Sequence, residues 1–184
     1  VAHCLSASLA EETGAAVDFT LGIMGAFTSE LPHPVAAAVA FDLDFRKNFD
    51  EDLRSRLGPP IVNVTGLNPR LRIRPYIGTS DSSPAIGVRT ALDWFLGSSN
   101  ASTVVGLVGS IYSSISIPIS SNAAVFQVPM VSYASTSPAL SDKAAHPYFL
   151  RTASPDTLQA SAQWAWLDFF EIPSTAYLYT KEQY

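Results

Sequence analysis

Short apolar segments alternate along this chain with longer segments of helical character. Most of the apolar segments carry hydrophobic residues at consecutive positions, which is typical of strands buried on both faces of a parallel sheet. Strands are predicted at 17–27, 70–77, 103–108, 128–133, 148–152 and 175–179. Helices are predicted at 35–49, 84–96, 115–126 and 154–170. This order predicts an α/β fold with a parallel sheet and helices on both of its faces.

Residues with known capping preferences mark the ends of the predicted helices. Ser83 followed by Pro84 is typical of a helix start, with serine as the N-cap and proline in the first helical position. Gly97 is predicted to end that helix, because glycine readily adopts the left-handed conformation beyond the last turn. Pro118 fits the next helix only near its first turn, since proline has no N–H to donate.

The charge and hydropathy of the chain exclude some classes of function. Eleven basic residues stand against 16 acidic ones, for a net charge of -5, and no cluster of Lys and Arg occurs. We therefore expect no nucleic-acid partner. No apolar segment reaches the ~18 residues that a membrane-spanning helix needs, so membrane attachment is expected only through segments outside this chain.

One long segment of the chain has no charged side chain. Residues 94–141 contain no Asp, Glu, Lys or Arg, yet they hold 13 of the 23 serines. Hydroxyl groups and backbone N–H groups are then the polar donors of this segment. Such a segment suits the centre of a fold that holds a polar ligand by hydrogen bonds.

Two sequons bear on the compartment. Asn63 and Asn100 each begin an N-x-S/T triplet in a stretch that is typical of a surface loop. A glycan on Asn63 or Asn100 is expected if the protein is extracellular, which is the predicted location. Cys4 is the single cysteine, so it cannot form a disulfide bond within this chain.

The sequence lacks the common signatures of enzymes. It has no G-x-S-x-G motif, no phosphate-binding Walker A motif and no G-x-G-x-x-G motif. The three histidines, His3, His33 and His146, do not have the spacing of metal ligands. We therefore expect a binding protein without catalytic activity, metal or cofactor.

Two polar turns are candidates for a binding site, because ligands of parallel sheets bind outside the carboxyl ends of the strands. The turn 109–114 combines a predicted helix start with two hydroxyls and suits a carboxylate or phosphate; alternatively, Ser113 or Ser114 is only the N-cap. The turn 133–137 also offers hydroxyls and N–H groups, or is an ordinary polar turn. The two turns line one crevice if their strands are neighbours.

The segments around these turns resemble the extracellular ligand-binding domain of class C G-protein-coupled receptors, within the wider receptor-family ligand-binding domain. The similar segments are VGSIYSSISI at 108–117, VSYASTSPALSDK at 131–143 and FLRTASPDTLQA at 149–160. A looser resemblance covers 17–182. Metabotropic glutamate and GABA-B receptors belong to this class, and the resemblance implies the two-lobed periplasmic-binding-protein type I fold.

The resemblance also implies a division of the chain and a mode of signalling. Residues 1–16 would be an N-terminal extension, 17–172 a first ligand-binding lobe and 173–184 the start of a second lobe. Closure of the two lobes on a ligand would rearrange a receptor dimer, homo- or heteromeric, that is formed through helices of the first lobe.

Five residues take ligand-binding positions by this resemblance. Ser113, with Ser114 beside it, would hold the α-carboxylate of an amino-acid-like ligand. Ser135 and Thr136, with Ala134 just before them, would contact the α-carboxylate and α-amino groups.

Departures from the family pattern narrow the expected ligand. Leu31 stands near the place of an aromatic lid residue, and the first-strand loop has no arginine to clamp a side-chain carboxylate. The loop 80–84 lacks a cysteine that the family usually pairs. We expect a small zwitterion, and the alternative is a structural, assembly or adhesion module that keeps the fold without a ligand. A crevice filled by Tyr112 would favour that alternative.

Overall fold

The computed structural model describes residues 17–25, 46–47, 50–60, 71–97 and 103–178. Within these ranges five parallel strands form one sheet in the order β2-β1-β3-β4-β5. The strands are β1 (Val17–Gly25), β2 (Leu71–Thr79), β3 (Gly106–Val108), β4 (Met130–Ser132) and β5 (Phe149–Arg151). The helices are α1 (Glu51–Leu57), α2 (Pro84–Leu96), α3 (Ser113–Phe126) and α4 (Asp156–Phe169), with a 3-10 helix at Pro138–Ser141. The predicted parallel α/β sheet with flanking helices is confirmed.

β1 lies inside the sheet, between β2 and β3. It pairs with β2 from Val17↔Leu71 to Gly25↔Thr79 and with β3 from Leu21↔Gly106. The chain therefore adds β2 on one side of β1 and β3 on the other, and such a reversal opens a crevice at the carboxyl ends of the strands. The turn that follows β3 begins beside this crevice.

α2 packs on the sheet through the side chain of Trp94, which is 3% exposed. A Cβ atom on Gly22 would lie 2.6 Å from Trp94 Cε3, and one on Gly78 would lie 2.4 Å from Cζ2. Glycine in both strands thus makes room for the indole ring. The ring of Tyr76 contacts it edge-on, with centroids 5.5 Å apart.

α2 and α3 pack against each other as well as against the sheet. A Cβ atom on Gly87 would lie 2.7 Å from Ile115 Cγ2, so the two helices approach closely at this glycine. The buried apolar core comprises Met24, Ala91, Trp94, Phe95, Val104, Leu107, Ile115, Ile119, Ala123, Val128, Met130, Leu140 and Phe149. Leu107 of β3 and Met130 of β4 belong to this core.

The predicted ends of α2 are confirmed. Ser83 is its N-cap residue, Pro84 is its first residue, and Gly97 is left-handed with φ of 67°. Ser83 makes no capping hydrogen bond through its side chain, so Pro84 and the extended backbone of Ser83 define this helix start.

α3 begins two residues earlier than predicted. The N–H groups of Ile115 and Ser116 both bond to the carbonyl oxygen of Tyr112, so the helix starts at Ser113. Pro118 lies within the helix. Because proline has no N–H, the carbonyl group of Ser114 lacks its usual helical donor.

The prediction of a strand at 175–179 is wrong for its described part. Residues 175–178 form no strand, and within the described ranges no strand pairs with them to make a ladder. α1 was not predicted as a helix, and the side chain of Asp50 caps it by accepting a hydrogen bond from the Leu53 N–H at 3.0 Å.

Other predicted features lie outside the described residues. They are the extension 1–16 with His3 and Cys4, the turn 26–31 with Leu31, His33, most of the predicted helix 35–49, Asn63, Asn100 and the end of the chain at 179–184. Among the described residues, no helix is both long enough and apolar enough to cross a membrane.

Candidate functional site

The two polar turns identified from the sequence lie side by side. β3 and β4 are paired neighbours, with Leu107 opposite Met130 and Val108 opposite Val131. Beyond the last pair, the Gly109 N–H still donates to the Val131 carbonyl oxygen at 2.9 Å. The condition for one shared crevice is therefore met.

Five serines of these turns and of the first part of α3 form a buried group, here called the serine cluster. The cluster is Ser110, Ser113, Ser116, Ser132 and Ser135, and each residue is 0% exposed. A buried hydroxyl group is costly unless it is hydrogen-bonded. Among the described residues the hydroxyls of the cluster all have a hydrogen-bond partner except that of Ser110.

Ser132 and Ser135 join the two turns to each other. Ser132 Oγ donates to the Ser110 carbonyl oxygen at 2.7 Å and accepts the Ser135 N–H at 2.9 Å. Ser135 Oγ lies 2.7 Å from Ser116 Oγ, and 3.1 Å and 3.2 Å from the carbonyl oxygens of Ser110 and Ile111. The Ser135 hydroxyl is thus held inside the protein and does not face the crevice.

The Ser113 hydroxyl also joins the two turns. Its Oγ accepts the N–H of Ser137 at 3.1 Å, which ties the first turn of α3 to the turn after β4. The hydroxyl keeps one proton that it can donate. The N-cap of α3 is Tyr112, without a side-chain capping bond, so the alternative that Ser113 or Ser114 is the N-cap is wrong.

Ser114 and Thr136 carry hydroxyl groups that are neither buried nor bonded. Both residues are partly exposed, and neither side chain has a hydrogen-bond partner in the part of the chain that the structure describes. The N–H groups of Ser113 and Ser114 begin α3, and among the described residues neither has a carbonyl acceptor. Unpaired N–H groups at a helix start carry partial positive charge and attract anions.

Hydrogen bonds from Arg151 and from the Asp156 N–H orient the turn after β4. The carbonyl oxygens of Ser135 and Ser137 accept from Arg151 at 3.4 Å and 2.9 Å, and that of Thr136 accepts the Asp156 N–H at 2.9 Å. In a trans peptide the N–H points opposite to the preceding carbonyl. The Thr136 N–H therefore points away from Arg151, and the Ser137 N–H points away from Asp156 and bonds to Ser113.

Ala134 and Tyr133 are the two remaining residues at the start of the turn after β4. The Ala134 N–H donates to Ser132 Oγ at 3.3 Å, so Ala134 offers a ligand only its small side chain and its carbonyl group. Tyr133 is 43% exposed, and partial burial raises the pKa of its phenol above 10.0. The phenol is therefore neutral near pH 7 and can donate a hydrogen bond.

Tyr112 does not decide between a sensing and a structural role. Its side chain is partly buried and packs against the hydrophobic core. Arg151 was not selected from the sequence, because nothing local distinguishes it from the other arginines. Only the pairing of β5 with β4 brings it beneath the turn 135–137.

The parallel sheet, its strand order and its flanking helices are those of a lobe of the periplasmic-binding-protein type. The chain belongs to the receptor family ligand binding region, which matches residues 61–184. An ABC transporter substrate-binding protein from Desulfitobacterium hafniense has a similar fold, with a TM-score of 0.67 and 18% sequence identity. That similarity covers 91% of this chain and 44% of the other, so the chain spans less than half the length of this structural neighbour.

Proposed function

We propose that this chain is the first lobe of an extracellular receptor domain that senses a small amino-acid-like molecule. The observation that carries the proposal is the pair of unbonded, partly exposed hydroxyls of Ser114 and Thr136 on two adjacent turns. Membership of the receptor family ligand binding region supports a binding role rather than catalysis. The resemblance to class C G-protein-coupled receptors supports an amino-acid-like ligand.

The proposed binding mode places the ligand carboxylate at the start of α3. The N–H groups of Ser113 and Ser114 and the Ser114 hydroxyl donate to the carboxylate. The Thr136 hydroxyl accepts from or donates to the opposite end of the ligand. A second lobe closes over the ligand, and closure rearranges a dimer whose membrane-bound parts lie outside this chain.

The test is a titration followed by NMR on the isotope-labelled chain, because a single lobe is expected to bind weakly. The probes are the twenty standard amino acids and γ-aminobutyrate. We expect at least one of them to shift the amide signals of Ser114 and Thr136. A panel without any such shift contradicts the proposal.

Variants locate the binding energy in the crevice. A hydrogen bond to a charged group contributes roughly 1.5–3 kcal/mol, so Ser114→Ala should weaken binding about 10- to 150-fold. Thr136→Val should also weaken it, because the Thr136 hydroxyl bonds to the opposite end of the ligand. Ser121→Ala, on an exposed position of the same helix, is the matched control and should leave affinity unchanged.

The compartment has its own test. Mass spectrometry of protein from its native source should find a glycan on Asn63 or Asn100. Two bare asparagines would count against an extracellular location without bearing on the crevice.

One observation favours the alternative of an assembly module. α4 has no buried residue, and it exposes Trp164 (70%), Trp166 (58%) and Phe169 (79%). Exposed apolar surface of this kind marks interfaces. The alternative predicts that Trp164→Ser with Phe169→Ser abolishes self-association in sedimentation experiments, while none of the amino acids binds.

A further inference from the structure

Arg151 ends β5, and its guanidinium group lies beneath the turn after β4. One terminal nitrogen donates to the carbonyl oxygens of Ser137 at 2.9 Å and Ser135 at 3.4 Å. The other terminal nitrogen donates to the hydroxyl of Ser141, at the end of the 3-10 helix. A single side chain therefore holds both the turn and the segment that leads away from it.

The positive charge of Arg151 is not neutralised by an ion pair. Within the described ranges its partners are two carbonyl groups and a hydroxyl, and no Asp or Glu pairs with it. A guanidinium group carries a positive charge. It is partly buried, and the adjoining segment 94–141 contributes no charged side chain.

The bonds of Arg151 also set which groups of the turn face the crevice. Together with the Asp156 N–H, the arginine holds the carbonyl groups of Ser135, Thr136 and Ser137 on the side of β5 and α4. The Thr136 N–H must then face the opposite side. Without the arginine, the carbonyls of Ser135 and Ser137 would be free to turn toward the crevice and repel an anion.

We propose that Arg151 is the positioning residue of this turn, and that its fixed charge makes the crevice prefer an anionic group to a neutral one of the same shape. This inference rests on the proposed carboxylate site and deepens it. The turn contacts the ligand directly. Arg151 orients the groups of the turn, and its positive charge favours a negatively charged ligand group.

The test separates the two effects with two variants of the 184-residue chain and two probes. Arg151→Lys keeps the charge but loses the two-pronged hydrogen bonding, whereas Arg151→Met loses both. Acetate and acetamide are the probes, because they have the same shape and differ in charge. Their affinities are read from the amide shifts of Ser114 and Thr136.

Hydrogen exchange reports on positioning without any ligand. The Ser137 N–H bonds to Ser113, and the Asp156 N–H bonds to Thr136. In each Arg151 variant both amide hydrogens should exchange at least about tenfold faster, because the turn between them is less firmly held.

The probes report on charge. Acetate affinity should fall roughly three- to thirtyfold more in Arg151→Met than in Arg151→Lys, the range expected for a unit charge behind the turn in partly hydrated surroundings. Acetamide affinity should not distinguish the two variants. Arg89→Met, which removes an exposed charge on α2, is the control and should change acetate affinity by less than about twofold.

Each outcome decides one part of the proposal. Equal acetate affinities in the Lys and Met variants overturn the charge claim, and unchanged exchange in both overturns positioning. If acetate shifts neither amide signal in the unsubstituted chain, both the carboxylate site and the charge claim are overturned. The hydrogen-exchange rates then still test whether Arg151 positions the turn. If Arg151→Met does not fold, Arg151→Gln replaces it as the neutral variant.

Discussion

Replacing Ser135 by alanine should destabilise the fold without touching the surface that a ligand meets. The Ser135 hydroxyl is fully buried and lies within hydrogen-bond distance of Ser116 Oγ and of the carbonyl oxygens of Ser110 and Ile111. Its removal deletes part of the bonding between the turn after β3 and the turn after β4, while the bonds from Ser132 to Ser110 and from Ser137 to Ser113 remain. A typical buried hydrogen bond contributes about 0.5–1.5 kcal/mol, and an orphaned partner adds roughly 1–3 kcal/mol.

The structure places the expected cost at the lower end of that range. Ser110 keeps its bond from Ser132 Oγ at 2.7 Å, and Ser116 Oγ keeps the Ser110 N–H at 3.3 Å, so those partners are not left unsatisfied. We expect a loss of about 1–2 kcal/mol in the free energy of unfolding. For a chain of this size that lowers the melting temperature by roughly 2–8 °C.

The assay is thermal unfolding followed by circular dichroism, with Ser114→Ala and Ser121→Ala measured beside Ser135→Ala. Both controls remove a serine that is not buried in the cluster, and each should stay within about 0.5 kcal/mol of the unsubstituted chain. An unchanged melting temperature for Ser135→Ala would refute the structural role of the cluster. A loss in Ser114→Ala as large as in Ser135→Ala would refute the division between structural and free hydroxyls.

Two other parts of the fold give predictions of the same kind. Gly78→Ala should cost about 1–3 kcal/mol, because its Cβ would lie 2.4 Å from the Trp94 ring, and the loss should appear in urea unfolding together with an altered near-ultraviolet signal of the indole. His146 is 5% exposed with Nδ1 2.8 Å from Ser120 Oγ, and burial lowers its pKa below 6.5 against a smaller opposing effect of Asp142. The unfolded chain then binds the proton more readily, so the free energy of unfolding should fall as the pH drops below about 6.5 and level off below the folded pKa. Urea titrations between about pH 7.5 and 5.5 should show this slope in the native chain and a reduced slope in His146→Gln, and equal slopes would contradict it.

Local sequence predicted most of the described strands and helices and several of their ends, although it missed α1. Apolar segments that alternate with helical ones predicted a parallel sheet, and the five described strands are parallel. Ser83, Pro84 and Gly97 marked the ends of α2 correctly, because a helix start or stop depends on the conformational preferences of a few adjacent residues. The start of α3 was placed too late, because a carbonyl–amide bond from Tyr112 and not a side-chain cap begins that helix.

The sequence also predicted that the two polar turns lie side by side, since turns that follow neighbouring parallel strands meet at the same end of the sheet. It did not determine which hydroxyls are free. Ser113 and Ser135 match the ligand-binding positions of the family they resemble, yet their oxygen atoms bond to Ser137 and to groups of the turn after β3.

Those bonds join residues that are 24 or 25 positions apart in the chain, and Arg151 reaches Ser137 across 14. Such partners are brought together by strand order and register, which local preferences do not specify. The tertiary structure alone therefore decided that the hydroxyls of Ser114 and Thr136 are partly exposed, that the serine cluster joins the two turns, and that Arg151 bonds to the turn after β4 without an ion pair among the described residues.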